Sequence, residues 1–597
     1  MQNAVAFADN DVVTVAWSYG EKPEGCMGFG IYRVDSKGRE TALPSHAVFK
    51  GGKIAKGQTT ADYPVQKFYW KDVYARLVAE KSGERSFRYK VVPLEGKPHA
   101  LTPMTKLPFV ISNEVTISAN TSEHVRAYFN RGLISTQRIS RAFKGKPSAA
   151  GLKKLIGDAK SPLRESLSGD MVEALTEFVD RAKSSGTIYA ALYELHDEEL
   201  LKKLEGLGTR LKIVLSNAVA TDPETSEKGD GNQDARERLA LTTKKKELNR
   251  IMATGHIGHN KFLVYVNKAG KAKAVLCGST NWTPTGLCAQ TNNTLVIEDD
   301  QLAQRYLSYW KQLAADTQAA KGEAKSLQGA KLRAFDAKSK DLIVDESAVE
   351  SWFSPNTPRS RSRPKKTAAK PKVEAVPPDM SAVMEHIANA KHAILFLAFY
   401  PGSPSIANWA GQAAKKDKTL FVRGCVTNKS ASEGFYYELK GSAPPAKVKG
   451  KKTPIKQDPR VIGAEALDGK VVPQGWQKEL LKAGFAIIHD KVMVIDPFAD
   501  DCVVITGSHN LGYTASYNND ENLLIVQGNR KLAAAYATHV LDVYDHFSWR
   551  YAVNHGGAKG GSAFLKSEPD EWLSKYFDDA GEVKNAQLKF WMQSRGV

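Results

Sequence analysis

Hydrophobic and polar positions change their rhythm twice along this chain. Residues 1 to about 112 alternate apolar and polar, in runs such as Val12-Val13-Thr14-Val15-Ala16-Trp17, Gly28 to Val34 and Phe87 to Pro93. A period of two, broken by turn residues, predicts half-buried strands in a small antiparallel sandwich. Further along, helical spacing gives way to short apolar runs. Met171 to Val179 places apolar residues on one helical face and leads to a strand at Ile188 to Tyr193; a helix at Asp197 to Leu204 and a strand at Leu211 to Leu215 follow. The same order returns later: Ala382 to Ile387, then Ala393 to Ala398, then a helix around Ala407 to Ala414 before Leu420-Phe421-Val422. Helices alternating with apolar strands predict an α/β fold with mostly parallel or mixed sheets, and the recurrence predicts an internal duplication. The expected organisation is a β-sandwich at 1–112, a first α/β/α repeat at 113–341, a basic Pro-rich linker at 342–378, a second repeat at 379–556 and a C-terminal appendage at 557–597. That appendage is Gly-rich after 556 and helical around Trp572 to Phe577.

The duplication also carries chemistry. His259-Asn260-Lys261 and His489-Asp490-Lys491 each lead into an apolar run, and Gly278-Ser279-Thr280-Asn281 and Gly507-Ser508-His509-Asn510 follow at 19 and 18 residues from the histidine. In His-x-Lys on a strand the two side chains share a face, so imidazole and ammonium lie side by side. The flanking runs, Phe262 to Val266 with Ala274-Val275-Leu276 and Val492 to Ile495 with Val503-Val504-Ile505, read as strand, turn, strand. Two such units brought together collect two imidazoles, two ammoniums and two carboxamides around one cavity. That set holds a nucleophile, a proton donor and cationic or neutral groups suited to phosphoryl oxygens.

These residues resemble the phospholipase D superfamily, whose members carry paired His-x-Lys-x4-Asp motifs followed by Gly-Ser-x-Asn. The second copy, with His489, Lys491, Asp496, Gly507, Ser508 and Asn510, matches throughout. The first has Val266 at the aspartate position and Asn267 beside it, where a bulge or longer turn is expected to bring the amide into the place of Asp496. After the tetrads Glu521 stands in one half and Asn292 in the other, so the halves are chemically unequal. The resemblance implies two fused phospholipase D-like α/β/α repeats and a two-step cleavage of a phosphodiester, with His259 as nucleophile and His489 as general acid. It further implies that Lys261, Lys491, Asn281 and Asn510 hold the non-bridging oxygens and that Glu521 orients one imidazole. Asp496 and Asn267 are expected to support the fold, and Ser279, Ser508 and Trp282 to face substrate. No metal or cofactor is required, since protein donors stabilise the charge, and no His-Glu-x-x-His, Cys-x-x-Cys or Asp-rich ligand loop occurs. His256, His392 and His509 read as ordinary surface or core histidines. The N-terminal strands, with Trp17 early and Tyr89-x-Val91 late, resemble a fibronectin type III module.

Composition narrows the setting. Five scattered cysteines suggest no disulfide framework, and the first residues lack a basic-then-apolar leader. No stretch reaches the length of a membrane span. The expected location is the cytoplasm. The formal charge of +19 is partly concentrated at Lys244-Lys245-Lys246, in Arg359 to Lys372 and at Lys447 to Lys456. Clusters leading into both half-sites favour a nucleic acid held by its phosphates. Anionic phospholipid is the alternative substrate, because the same charges attract its headgroups. Charge leaves DNA and RNA undistinguished, and the sequence is silent on oligomeric state.

Overall fold

The computed structural model describes all residues except 1–2, 46, 53–54, 133–138, 140–141, 144–147, 222–227, 243–247, 362–373, 446–453, 466–486, 556–563 and 595–597. Most of the basic clusters, Lys244 to Lys246, Arg363 to Lys372 and Lys447 to Lys452, therefore lie outside the described residues.

The N-terminal region pairs two antiparallel sheets. One holds Asn3–Ala8, Val13–Ser18 and Tyr69–Asp72; the other is centred on Gly28–Val34 and Ser86–Lys97. Alternate apolar side chains, among them Trp17, Phe29, Phe68 and Tyr89, face each other between them. A helix at Ala75–Ser82 interrupts the all-β pattern.

Each repeat is a mixed sheet. The first contains β1 (Val125–Phe129), β2 (Thr187–Leu192), β3 (Leu211–Ser216), β4 (Leu248–Arg250), β5 (Lys261–Val266), β6 (Ala272–Gly278) and β7 (Asn293–Ile297), in the order β1-β7-β6-β5-β2-β3-β4. Helix α1 (Asp300–Ala319) follows. The second repeat contains β8 (Lys340–Val344), β9 (Ser347–Ser354), β10 (Ala393–Ala398), β11 (Phe421–Val426), β12 (Val461–Gly463), β13 (Lys491–Ile495), β14 (Val503–Gly507) and β15 (Asn519–Gln527), in the order β8-β9-β15-β14-β13-β10-β11-β12. Helix α2 (Arg530–His555) follows. In both, the strands before and after a crossover helix run parallel (β2 with β3, β10 with β11), whereas the motif strands β5 and β13 join them antiparallel.

Both central strands are apolar on both faces because both faces are covered. The outer face of the first sheet packs under short helices, including Met171–Asp180 and Glu198–Glu205, around Leu175, Phe178, Leu200 and Leu204. The second sheet does the same with Ile406–Lys416 and its neighbours. The inner faces of the two sheets share one core with α1 and α2, through residues such as Phe262, Val264, Tyr306, Val492, Val494, Tyr536 and Val540. The layers therefore run helices, sheet, two long helices, sheet, helices.

Two expected boundaries move. Residues 342–354, assigned to the linker, form most of the β8–β9 hairpin on the edge of the second sheet, because Leu342, Val344, Val349, Trp352 and Phe353 all find cover there. The C-terminal segment is no appendage. Trp572, Leu573, Tyr576, Phe577 and Leu588 complete the core of the N-terminal sheets, and the Trp572 indole donates to the Cys26 carbonyl at 2.8 Å. Its helices are Pro569–Leu573 and Ala586–Gln593, the latter burying Phe590 and Trp591 against Phe421 and Phe498. The N-terminal region is in turn tied to α2, with Lys71 on Asp542 at 2.7 Å and Tyr69 donating to Asp545 at 2.9 Å.

Truncating a fully buried tryptophan costs about 3–5 kcal/mol. Trp572→Ala is expected to lower the melting temperature and to open the N-terminal region to proteolysis first. An unchanged digestion pattern would mean that this segment is dispensable to that region.

Candidate active site

The two motif strands end at the seam between the sheets, and each is completed by the other half. The His259 amide donates to the Asp520 carbonyl at 2.9 Å and the His489 amide to the Thr291 carbonyl at 3.1 Å. Just ahead of them, Ile257 pairs with Asn519, and Ile488 bridges Thr291. The tetrad glycines have a steric cause. At Gly278 (φ 156°) and Gly507 (φ 144°) an added Cβ would lie 2.3 Å from the carbonyl oxygens of Asn293 and Asn522, so only glycine lets the next strand approach.

Behind the strands, the middle residue of each motif points away from the cavity into a polar network. Asn260 donates to Tyr309 on α1 at 2.9 Å and accepts from Asn522. Asp490 accepts from Asn293 at 2.9 Å and pairs with His539 on α2 at 3.0 Å. Tyr306 and Tyr536 donate to Asn522 and Asn293. Tyr309 and His539 occupy matching places on the two helices, so a neutral anchor in one half corresponds to an ionic one in the other. Burial works against charge on His539, but the Asp490 carboxylate overrides it and holds the imidazole above its usual pKa.

The two imidazoles face each other with centroids 6.2 Å apart, and both rings are buried. Their supports come from opposite halves. His259 Nδ1 contacts the Glu521 carboxylate at 2.8 Å, and His489 Nδ1 contacts the Asn292 amide oxygen at 2.8 Å. Both acceptors lack a hydrogen to give, so each Nδ1 carries the proton and each Nε2 is left toward the other ring. Lys261 donates to the His259 carbonyl at 2.6 Å, and Lys491 makes the matching bond to His489. Tyr193 walls one side, 5.1 Å from His259 with Lys261 5.0 Å over its ring; Phe399 walls the other, 4.9 Å from His489 with Lys491 5.0 Å over its ring.

Burial dominates the electrostatics. It pulls Lys261 down to about 7 against the attraction of Glu521 and Glu194, and lowers Lys491 well below its ordinary value with the help of Lys261. Burial also lowers His259 to about 4, opposed by Glu521, and His489 well below the usual range, aided by Lys491 and Lys261. Burial would raise Glu521, yet the His259 contact keeps it below the ordinary carboxylate range. The cavity thus holds neutral imidazoles beside lysines whose proton affinity burial has lowered. An oxyanion placed beside them favours their charged form.

Asn281 reaches this place through Glu194, which acts on Lys261, and the side-chain oxygens of Asn281 and Asn510 are buried without partners. Other expectations change. Ser279 donates to Asn292 at 2.8 Å and accepts from Asn293, while Ser508 accepts from Asn522; their hydroxyls tie the tetrad to the next strand and are not turned to a substrate. Trp282 is 1% exposed inside the core under the outer helices, because its backbone bonds Glu194 and His196 and draws the ring inward. Asp496 accepts from the amides of Lys391, His392 and Ala393, fixing the start of β10. Asn267 does not take that place: its side chain accepts from Lys271 within its own β5–β6 turn, and a register shift at Tyr265/Val266 absorbs the extra residue. His509 is an ordinary core residue, bonded to Ser516 and paired with Asp379. Sequence reasoning missed Tyr193, Phe399, Glu194, Tyr309 and His539. Tyr193 and Phe399 were findable, since each directly follows the strand beside its motif strand.

Among sequence families, the one described as cardiolipin synthase, PLD-like domain, matches residues 175–314 and 383–542, one segment in each repeat and together half of the chain. No curated protein sequence matches. Solved structures similar to this one include phosphatidylserine synthase of Haemophilus influenzae Rd KW20, at 12% identity over 64% of this chain and 85% of that one, with a TM-score of 0.42. Nuc from Salmonella typhimurium, a phospholipase D family member, aligns at 22% identity over 24% of this chain and 84% of its own, with a TM-score of 0.19. Yeast tyrosyl-DNA phosphodiesterase aligns at 12% identity over 60% and 88%, with a TM-score of 0.31.

The lysine shifts set a pH dependence for anion binding. Lys261 is charged below about 7 and neutral above it. The affinity for dimethyl phosphate, a fixed monoanion, is expected to fall by up to about tenfold per pH unit above that point. Calorimetric titration of wild type beside Lys261→Met checks this; an identical pH profile in both proteins would exclude Lys261 as the titrating group.

Proposed function

This chain belongs to the phospholipase D superfamily, and on that premise we propose that it is a phosphodiesterase that cleaves nucleic acid through a phosphohistidine on His259. The unequal support of the two imidazoles carries the assignment of roles. Glu521 is an anion behind His259, whereas Asn292 behind His489 is a neutral amide. Attack by His259 Nε2 on phosphorus forms an N–P bond and leaves the ring positive. A carboxylate at Nδ1 stabilises that charge as it develops, and an amide does so far less.

As the N–P bond forms, the bond from phosphorus to the leaving oxygen breaks, and His489 Nε2–H gives that oxygen its proton. Burial holds His489 neutral; the bound diester's negative charge favours its protonated form, so acid and substrate arrive together. Water then attacks phosphorus from the vacated side and gives its proton to His489, and the N–P bond breaks to restore His259. Lys261, Lys491, Asn281 and Asn510 hold the non-bridging oxygens. The protein's own donors serve where other phosphodiesterases use a divalent ion.

Nucleic acid is the substrate class favoured by the charge of +19 and by an aromatic at the cavity's edge. Tyr400 is 52% exposed and packs 4.3 Å from Phe399, which itself contacts His489. A base on the leaving side has a ring to stack on. The described family to which the repeats match is a lipid synthase by name, and phospholipid headgroup hydrolysis or transfer is the second reading.

Hydrolysis of single- and double-stranded DNA and RNA is compared with that of phosphatidylcholine and phosphatidylglycerol vesicles, all in EDTA. Nucleic-acid cleavage is expected, with His489→Ala slowing a diester with a poor leaving group by about 10²–10⁴. Acid-labile label from a radioactive substrate should map to His259. Label on His489 would reverse the roles, and turnover confined to vesicles would replace nucleic acid by lipid.

A further inference from the structure

The two halves differ at one more place that faces the phosphate. Tyr193 and Phe399 are equivalent walls, but the next residues are Glu194 and Tyr400. Tyr400 turns outward. The Glu194 carboxylate turns in and accepts a hydrogen bond from the side-chain amide of Asn281, one of the groups that holds phosphoryl oxygens. Its position is fixed from both sides: the Glu194 carbonyl accepts from the Trp282 amide at 3.1 Å, and Leu195 forms a bridge with Trp282. It also lies close enough to act on both active-site lysines, raising the proton affinity of Lys261 and Lys491 alongside Glu521.

A carboxylate beside an anion site is at first sight adverse. Two buried lysines face two carboxylates, so the cavity is close to neutral, and Glu194 repels any phosphate that enters. That repulsion grows with the charge of the ligand. A diester carries one negative charge, and the monoester formed from it carries about 1.5 to 2 near pH 7. Lysines alone would hold the product more tightly than the substrate. An added fixed anion penalises the product about twice as strongly as the substrate, and so cancels most of that preference. The acid stands only on the His259 side, where the phosphoryl group is retained after the leaving group has gone. We propose that Glu194 is a specificity-determining residue that shifts the site's selectivity away from phosphomonoester dianions toward phosphodiester monoanions and so eases release of the product.

This inference rests on the phosphodiesterase reading, and the test separates the two. The affinities of dimethyl phosphate and methyl phosphate are measured at pH 7 for wild type, Glu194→Gln and Glu194→Ala, by calorimetry or by competition against turnover. Glutamine keeps an acceptor for Asn281 and removes only the charge. Both variants are expected to shift the affinity ratio toward methyl phosphate, on the order of tenfold. A ratio unchanged in both, or changed only in the alanine variant, would overturn the proposal and leave Glu194 as a prop for Asn281. Failure of wild type to bind either ligand would overturn the phosphodiesterase reading itself.

Discussion

Everything at the active site depends on backbone hydrogen bonds exchanged between the halves. The His259 amide is bonded to Asp520 of the second repeat, and the His489 amide to Thr291 of the first. Neither motif strand satisfies its own leading edge, so neither half builds a working imidazole alone. The residues that orient the rings, Glu521 and Asn292, are supplied across the same seam. Tyr306 and Tyr309 on one helix, with Tyr536 and His539 on the other, close the polar groups behind it. A buried polar seam is stable only when every member is partnered. The halves are therefore fused by chemistry as much as by a shared apolar core.

Within this near-symmetric frame, function lives in the departures from symmetry. Glu521 against Asn292 gives one imidazole a counter-ion and the other a neutral prop. Asp490 with His539, against Asn260 with Tyr309, places a buried ion pair behind the His489 motif and a neutral hydrogen bond behind the His259 motif. Glu194 against Tyr400 makes one lip of the cavity acidic and the other aromatic. These three exchanges make the two sides of the cavity chemically distinct.

How much of this was legible in the sequence depended on the range of the interaction. The repeated His-x-Lys and Gly-Ser-x-Asn groups are local, and the strands around them follow from short apolar runs, so the α/β repeats and the meeting of His259, His489 and both lysines could be read directly. The partner of Glu521 could not, because the contact spans 262 residues and its direction is set by how the halves dock. Trp282 and the serines were misplaced for a related reason: proximity to a motif in sequence does not say which way a side chain turns. Residues 342–354 were absorbed into the linker because the basic, Pro-rich composition that follows them overshadowed their own alternation. Glu194 left no motif, since a single acid after a strand gains meaning only from Asn281 beside it.

The return of the C-terminal segment to the N-terminal sheets has a consequence for how the molecule is made. The Trp572 indole meets the Cys26 carbonyl across 546 residues, and Gln66 bonds Lys566 across 500. During synthesis the sheets of residues 3–116 lack part of their own interior until Lys566 and Trp572 leave the ribosome. These apolar sheets must wait, half covered, while both repeats are translated. Completion of the N-terminal core is thus a late event, coupled to the finished catalytic frame through Lys71 and Tyr69 on α2. A chain cut short before Trp572 therefore lacks the ring that closes this core and leaves its early sheets open to proteases.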